Sequence, residues 1–244
     1  MSRIAVIISL LAAFTVMVSA WPLAWTPLAS LLKDFTVSPN QTPPQLNGTI
    51  WRGEMKGVEP FGSIQYKLRP LNVYKGDPPV SFSSLSRAIS SKGFAHMSGV
   101  KDVIASGDLA WILPKDRRFG GIQGGFDLSL KDLGFDLNAI ETGCVSADGI
   151  FKTDVLRRNQ KIWYWQGPEL SGPIRCEAGD LVTDLSGAED GQNIQVKVKM
   201  QADGIYSADI QVQTNTQGAE AVLTLYGFSK SGRKYSLIET GKWR

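Results

Sequence analysis

From Gly48 onward the chain alternates. Ile194, Val196, Val198 and Met200 interleave with Gln195, Lys197 and Lys199, and Tyr206, Ala208, Ile210 and Val212 interleave with Ser207, Asp209, Gln211 and Gln213. A period of two places the apolar set on one face of a strand and the polar set on the other. Ala221, Leu223 and Leu225 continue the pattern, and Tyr235 and Leu237 close it. Ala202-Asp203-Gly204, Asn215-Thr216-Gln217-Gly218 and Ser229-Lys230-Ser231-Gly232 punctuate the runs as turns. The pattern predicts a mostly β, antiparallel meander with one greasy and one wet face. The clear helical candidate in this region covers residues 83–91, where Leu85 and Ile89 stand at i,i+4 spacing.

A strand with one apolar face must bury it against something. A closed barrel or sandwich is one solution, and a curved sheet that leaves an open trough wide enough for acyl chains is another. The uneven lengths of the alternating runs favour the curved, partly open sheet. It opens at Leu46-Asn47-Gly48-Thr49-Ile50-Trp51-Arg52-Gly53, a Gly-bounded edge strand, followed by the strand Ile64-Gln65-Tyr66-Lys67-Leu68-Arg69-Pro70. Gly149-Ile150-Phe151 and the Lys161–Pro168 stretch echo these two pieces about a hundred residues later. The echo reads equally as two similar halves or as common β-sheet vocabulary.

Three segments follow. Residues 1–32 form an N-terminal membrane anchor: Ile4 to Ala20 is interrupted only by Ser9, Thr15 and Ser19, and no charge appears between Arg3 and Lys33. About 20 apolar residues span the hydrocarbon layer as a helix, with Trp21 and Trp25 placed where interfacial tryptophans belong. The alternative is a signal peptide cleaved after Val18-Ser19-Ala20. Both readings translocate the remainder. Residues 33–45, with Pro39, Pro43 and Pro44, are a linker. Residues 46–244 are the translocated β domain.

Composition narrows the chemistry. The chain has 43% hydrophobic and only 20% charged residues, with a net charge of +3. The basic clusters Lys115-Asp116-Arg117-Arg118 and Arg157-Arg158 lie on no basic helix or stripe, so nucleic acid is not an expected partner. The single histidine, His96, lies in the alternating run 93–98 and reads as a strand residue. One His and two Cys assemble no ordinary zinc site. Gly120-Gly121-Ile122-Gln123-Gly124-Gly125 lacks the Lys-Ser/Thr of a phosphate loop, and Phe126 to Leu130 alternates as a strand after it. No catalytic, cofactor-binding or metal residue is expected, and the carboxylates are scattered. Cys144 and Cys176, on the translocated side of the anchor, read as a disulfide rather than a redox pair, since they have no C-x-x-C spacing.

These motifs, with Trp165-Gln166-Gly167-Pro168-Glu169-Leu170-Ser171-Gly172-Pro173 and Cys176 behind it, resemble type II secretion system protein N, the general secretion pathway protein N family. The resemblance covers essentially the whole length. Tyr66 stands where the family pattern usually has Trp. The resemblance implies an accessory component of the inner-membrane platform that drives folded proteins from the periplasm across the outer membrane. The chain would be a single-pass inner-membrane protein with a cytoplasmic N-terminus, its bulk periplasmic, its partners the other platform subunits, with no reaction and no cofactor. Trp51, Tyr66, Trp163 and Trp165 are the candidate interaction residues, each weighed against simple core packing. The competing function is an AsmA-like lipid handler whose apolar trough binds phospholipid.

Overall fold

The computed structural model describes residues 45–49, 51–58, 61–96, 98–111, 122–135, 143–163, 165–201 and 205–242. The anchor, nearly all of the linker and the basic cluster at 115–118 lie outside the described residues. Among those described, no helix is long and apolar enough to cross a membrane.

Fourteen strands follow one another: β1 (Gln45–Gly48), β2 (Arg52–Val58), β3 (Gly62–Leu68), β4 (Val80–Leu85), β5 (Ile89–His96), β6 (Gly99–Asp108) and β7 (Gly125–Phe135). Then come β8 (Cys144–Thr153), β9 (Leu170–Glu177), β10 (Asp180–Glu189), β11 (Gln192–Met200), β12 (Ile205–Gln213), β13 (Ser229–Ser231) and β14 (Lys234–Lys242). Helices α1 (Val155–Arg158) and α2 (Gln160–Trp163) separate β8 from β9, and α3 (Gln217–Leu225) separates β12 from β13. All fourteen strands form one antiparallel sheet in sequence order, except that β14 lies between β12 and β13. Among the described residues the two ends of the sheet do not pair with each other. The predicted β meander is present as one open sheet, neither closed barrel nor sandwich.

Tight turns set the ladder. Ala178-Gly179 and Asp190-Gly191 link β9 to β10 and β10 to β11 as two-residue loops, all four residues at positive φ. Positive φ at both loop positions matches the strand twist.

Burial on the apolar face is graded along β10–β12, while Val103, Leu130 and Ile174 form a further buried cluster on β6, β7 and β9. Ile89, Phe126, Leu170, Ile194, Val212 and Tyr235 share a row across the sheet and are all buried. Over the C-terminal strands α3 and Trp165 cap this row through Ala219 and Leu223, in one cluster with Leu185. Farther along the same strands Thr183, Val198 and Ala208, then Leu181, Met200 and Tyr206, are only half-buried.

The opposite face is polar. Val182 points there and is nonetheless 0% exposed. Arg175 and Lys199 stand on either side of it in register, and long cationic side chains cover apolar surface with their aliphatic stems. Their heads join an ion lattice: Arg175 reaches Glu177 at 2.5 Å and also Asp184, Lys197 reaches Glu177 at 3.1 Å, and Lys199 reaches Asp180 at 2.6 Å.

Two expectations are overturned, and of the two readings left open for the echo the structure matches common β-sheet vocabulary. Residues 83–91 are not a helix but the end of β4 and the start of β5, so Leu85 is 79% exposed and Ile89 3%. Ser86 makes the turn, with its Oγ accepting from the N–H groups of Ala88 and Ile89. The run Ala221, Leu223, Leu225 is not a strand but lies in α3. Ala219, Val222 and Leu223 face the core while Ala221 and Leu225 are exposed, so the i,i+3,i+4 pattern decides. Gly227, at φ +85°, ends that helix, with Phe228 N–H donating to Leu223 O. Finally, the two-halves echo fails: residues 160–163 are helical and 165–169 lie in no strand, whereas Ile64 to Leu68 is β3. Gly149 sits mid-strand, whereas Gly48 ends one.

Cys144 and Cys176 form a disulfide with Cα atoms 5.5 Å apart. Cys144 N–H also donates to Gly179 O at 2.7 Å, so the cross-link fastens the start of β8 to the end of β9 and the hydrogen bond fastens it to the β9–β10 turn. Replacing both cysteines with serine is expected to lower stability by about 3–4 kcal/mol on the chain-entropy model, read as a lower urea midpoint. Acid is expected to loosen the ion lattice. Hydrogen bonds from Arg175, then Lys197, hold the Glu177 carboxyl below the usual glutamate range. Its contribution is therefore present above that range and lost as pH falls through the lowered value. Glu177→Gln should flatten that part of an acid-unfolding curve.

Candidate interaction surfaces

The opening motif builds a clasp. Gly48, at φ +108°, turns the chain out of β1, and Thr49 N–H donates to Arg52 O at 2.9 Å. Tyr66 lies directly across from Gly53 on β3, and its hydroxyl donates to Thr49 O at 2.5 Å. A Cβ at Gly53 would sit 2.4 Å from the Tyr66 Oη and 2.5 Å from Asn47 O, so only glycine lets the ring lie over the strand. Partial burial raises the Tyr66 pKa, which keeps the hydroxyl protonated as donor. Trp51 is half-buried in the same turn; its N–H donates to Thr49 Oγ1 at 3.3 Å and its carbonyl accepts from Leu68.

Trp165 is elsewhere and only 4% exposed. Its Nε1–H donates to Gln192 Oε1, and Gln192 Nε2 donates to Gln166 O at 3.0 Å. This ties the 165–169 segment to the β10–β11 turn. Trp163 ends α2, and its side chain lies outside the described residues. The four aromatic candidates therefore do not form one site: Trp51 and Tyr66 share the clasp, and Trp165 belongs to the capped core.

No group of three or more His, Cys, Asp and Glu that could hold a metal exists among the described residues. His96 Nδ1 lies 3.2 Å from Ser98 Oγ on the exposed side. A shallow cleft of about 220 Å³ at the ends of β6–β8 holds Asp127, Lys152, Asp154, Arg158 and Glu169. Within it Asp154 accepts from Gly125 N–H at 2.6 Å and from Arg158 Nε at 2.7 Å, so that carboxylate serves the start of β7 and α1.

Two surfaces remain, the first suggested by alternation as an open trough and the second unrecognised in the sequence. One is the half-buried strip beyond the capped row, whose borders depend on where α3 sits. It contains Thr183 Oγ1, the one buried side-chain polar atom without a hydrogen-bond partner among the described residues. The other is the outer side of β14, which β13 covers only along Lys234–Ser236. Alternation announces β14 through Tyr235 and Leu237, whereas Ser229-Lys230-Ser231-Gly232, read as a turn, carries the three-residue strand β13 in its first three positions.

Tyr66→Phe is expected to cost about 1 kcal/mol by removing one hydrogen bond, and Gly53→Ala about 1–3 kcal/mol by overpacking, both read by thermal unfolding.

No curated protein and no solved structure was found to match the chain. A family model described as type II secretion system (T2SS), protein N, matches residues 43–237, from just before β1 into β14. That match takes in the clasp, the disulfide, the capped core and nearly every described strand, so the chain belongs to the type II secretion system protein N family.

Proposed function

We propose that the chain is an accessory component of the inner-membrane platform of the type II secretion machinery. Its N-terminal segment holds it to the inner membrane, and its sheet lies in the periplasm and docks other platform subunits there. Family membership supports involvement in this pathway. The observation that carries the finer reading is the disulfide in a one-sided, open sheet. Disulfides persist in oxidising compartments, and an open sheet offers edges and a face to partners. The function is interaction, without a reaction of its own.

The test is the secreted-protein profile of a strain lacking the gene. Exoproteins should accumulate in the periplasm and be released again when a plasmid copy is supplied. Normal secretion combined with new detergent sensitivity of the outer membrane would overturn this reading.

The half-buried strip favours a second reading, in which the apolar face holds the acyl chains of a phospholipid. Val198 lies in it, whereas Ile210 packs one row nearer, against the capped core. On that reading the purified protein carries phospholipid, and Val198→Asp abolishes binding while leaving the unfolding transition in place. A protein that purifies free of lipid removes it.

A further inference from the structure

The C-terminal edge of the sheet is half built. β14 pairs with β12 along all nine residues, from Lys234 opposite Gln213 to Lys242 opposite Ile205. On its other side β13 covers only Lys234, Tyr235 and Ser236. The reason is local: Gly227, in the left-handed region, ends α3 and delivers the chain to β13 from the core side. The outer lane beside Leu237–Lys242 therefore has no strand among the described residues. It is about 20 Å long at about 3.3 Å per residue, and the backbone groups of Ile238, Thr240 and Lys242, which alternation from the β13 partners Lys234 and Ser236 turns outward, are a template for an added strand.

The side chains of this lane point to its occupant. Ile238 is 71% exposed. It stands in register with Asp209 on the polar face, where an isolated apolar side chain gains nothing from the water around it. Thr240 and Lys242 follow on the same face, both exposed. An incoming strand that sets an apolar residue beside Ile238 and a carboxylate beside Lys242 would bury the first and pair the second. β13 supplies neither, since it ends opposite Ser236.

We infer that the outer edge of β14 is a docking site for an extended segment of another protein, added as a fifteenth strand antiparallel or parallel to Leu237–Lys242. The segment carries an apolar residue facing Ile238 and an acidic one facing Lys242. This rests on the secretion-platform reading, which supplies the class of partner: a protein subunit of the export machinery with an extended periplasmic stretch.

The test is hydrogen exchange on the full-length chain, isolated in detergent and within the secretion platform purified through a tag on this chain. In the isolated protein, alternate amides of Leu237–Lys242 exchange fast. In the platform they slow by at least roughly tenfold, while the amides of β4 do not change. Ile238→Lys, at an exposed position, leaves the unfolding transition intact and abolishes the slowing; Leu85→Lys, equally exposed on β4, does not. Co-purification of platform subunits with no change at β14 overturns the inference and leaves the platform reading standing. Failure of any platform subunit to co-purify overturns both. Protection already present in the isolated chain means that the lane is filled from within, or by a second copy if it depends on concentration; either outcome overturns the inference.

Discussion

Everything in this molecule follows from a sheet that has two unlike faces and only one partial cover. Fourteen strands paired almost wholly with their sequence neighbours satisfy one another's backbone groups locally. Their apolar face must still leave water, and over the C-terminal strands the cap among the described residues is α3 with the segment around Trp165. Burial is complete under that cap and fades along β10–β12 away from it, whereas Val103, Leu130 and Ile174 stay buried on the strands before them. The hydrophobic effect scales with area removed from water, so the capped row anchors the fold and the strip beyond it contributes less.

Polar chemistry is placed where that imbalance needs it. The lattice of Arg175, Glu177, Asp184, Lys197, Lys199 and Asp180 lies on the wet face, covering Val182 with methylene stems. Such exposed ion pairs are individually weak, and their service is to shield an apolar side chain. Asn159 does comparable work between layers. Its Oδ1 accepts from Gln123 N–H at 3.0 Å, and its Nδ2 donates to the carbonyls of Gln123 and Val155, holding the entry to β7 against α1. The disulfide joins the start of β8 to the end of β9, beyond the Gly149–Thr153 stretch along which the two strands pair.

This distribution shapes how a partner can bind. The aromatic residues that stand out in the sequence are mostly spent on internal work: Tyr66 closes a turn, and Trp165 fills the cap while bonding Gln192. What remains open to partners is backbone and aliphatic surface, at the edge of β14 and along the uncapped strip. Strand addition at such an edge draws affinity from main-chain hydrogen bonds and specificity from alternate side chains.

By itself, the sequence determined the mostly β class, the cysteine partnership, the strand character around His96 and Phe126, and the resemblance to the family to which the chain belongs. These are legible because alternation, residue pairing by count, and Gly-bounded motifs are local properties. It could not decide whether Leu223 belongs to a strand or to a helix, because Ala219, Ala221, Val222, Leu223 and Leu225 satisfy both periods. Only contact with Ile194, Val212 and Tyr235 made the helical face the buried one. Nor could it decide that Leu85 and Ile89 lie on opposite faces, because Ser86 turns the chain between them. The length of β13 and the half-covered strip are likewise tertiary facts, set by where α3 lands on the sheet.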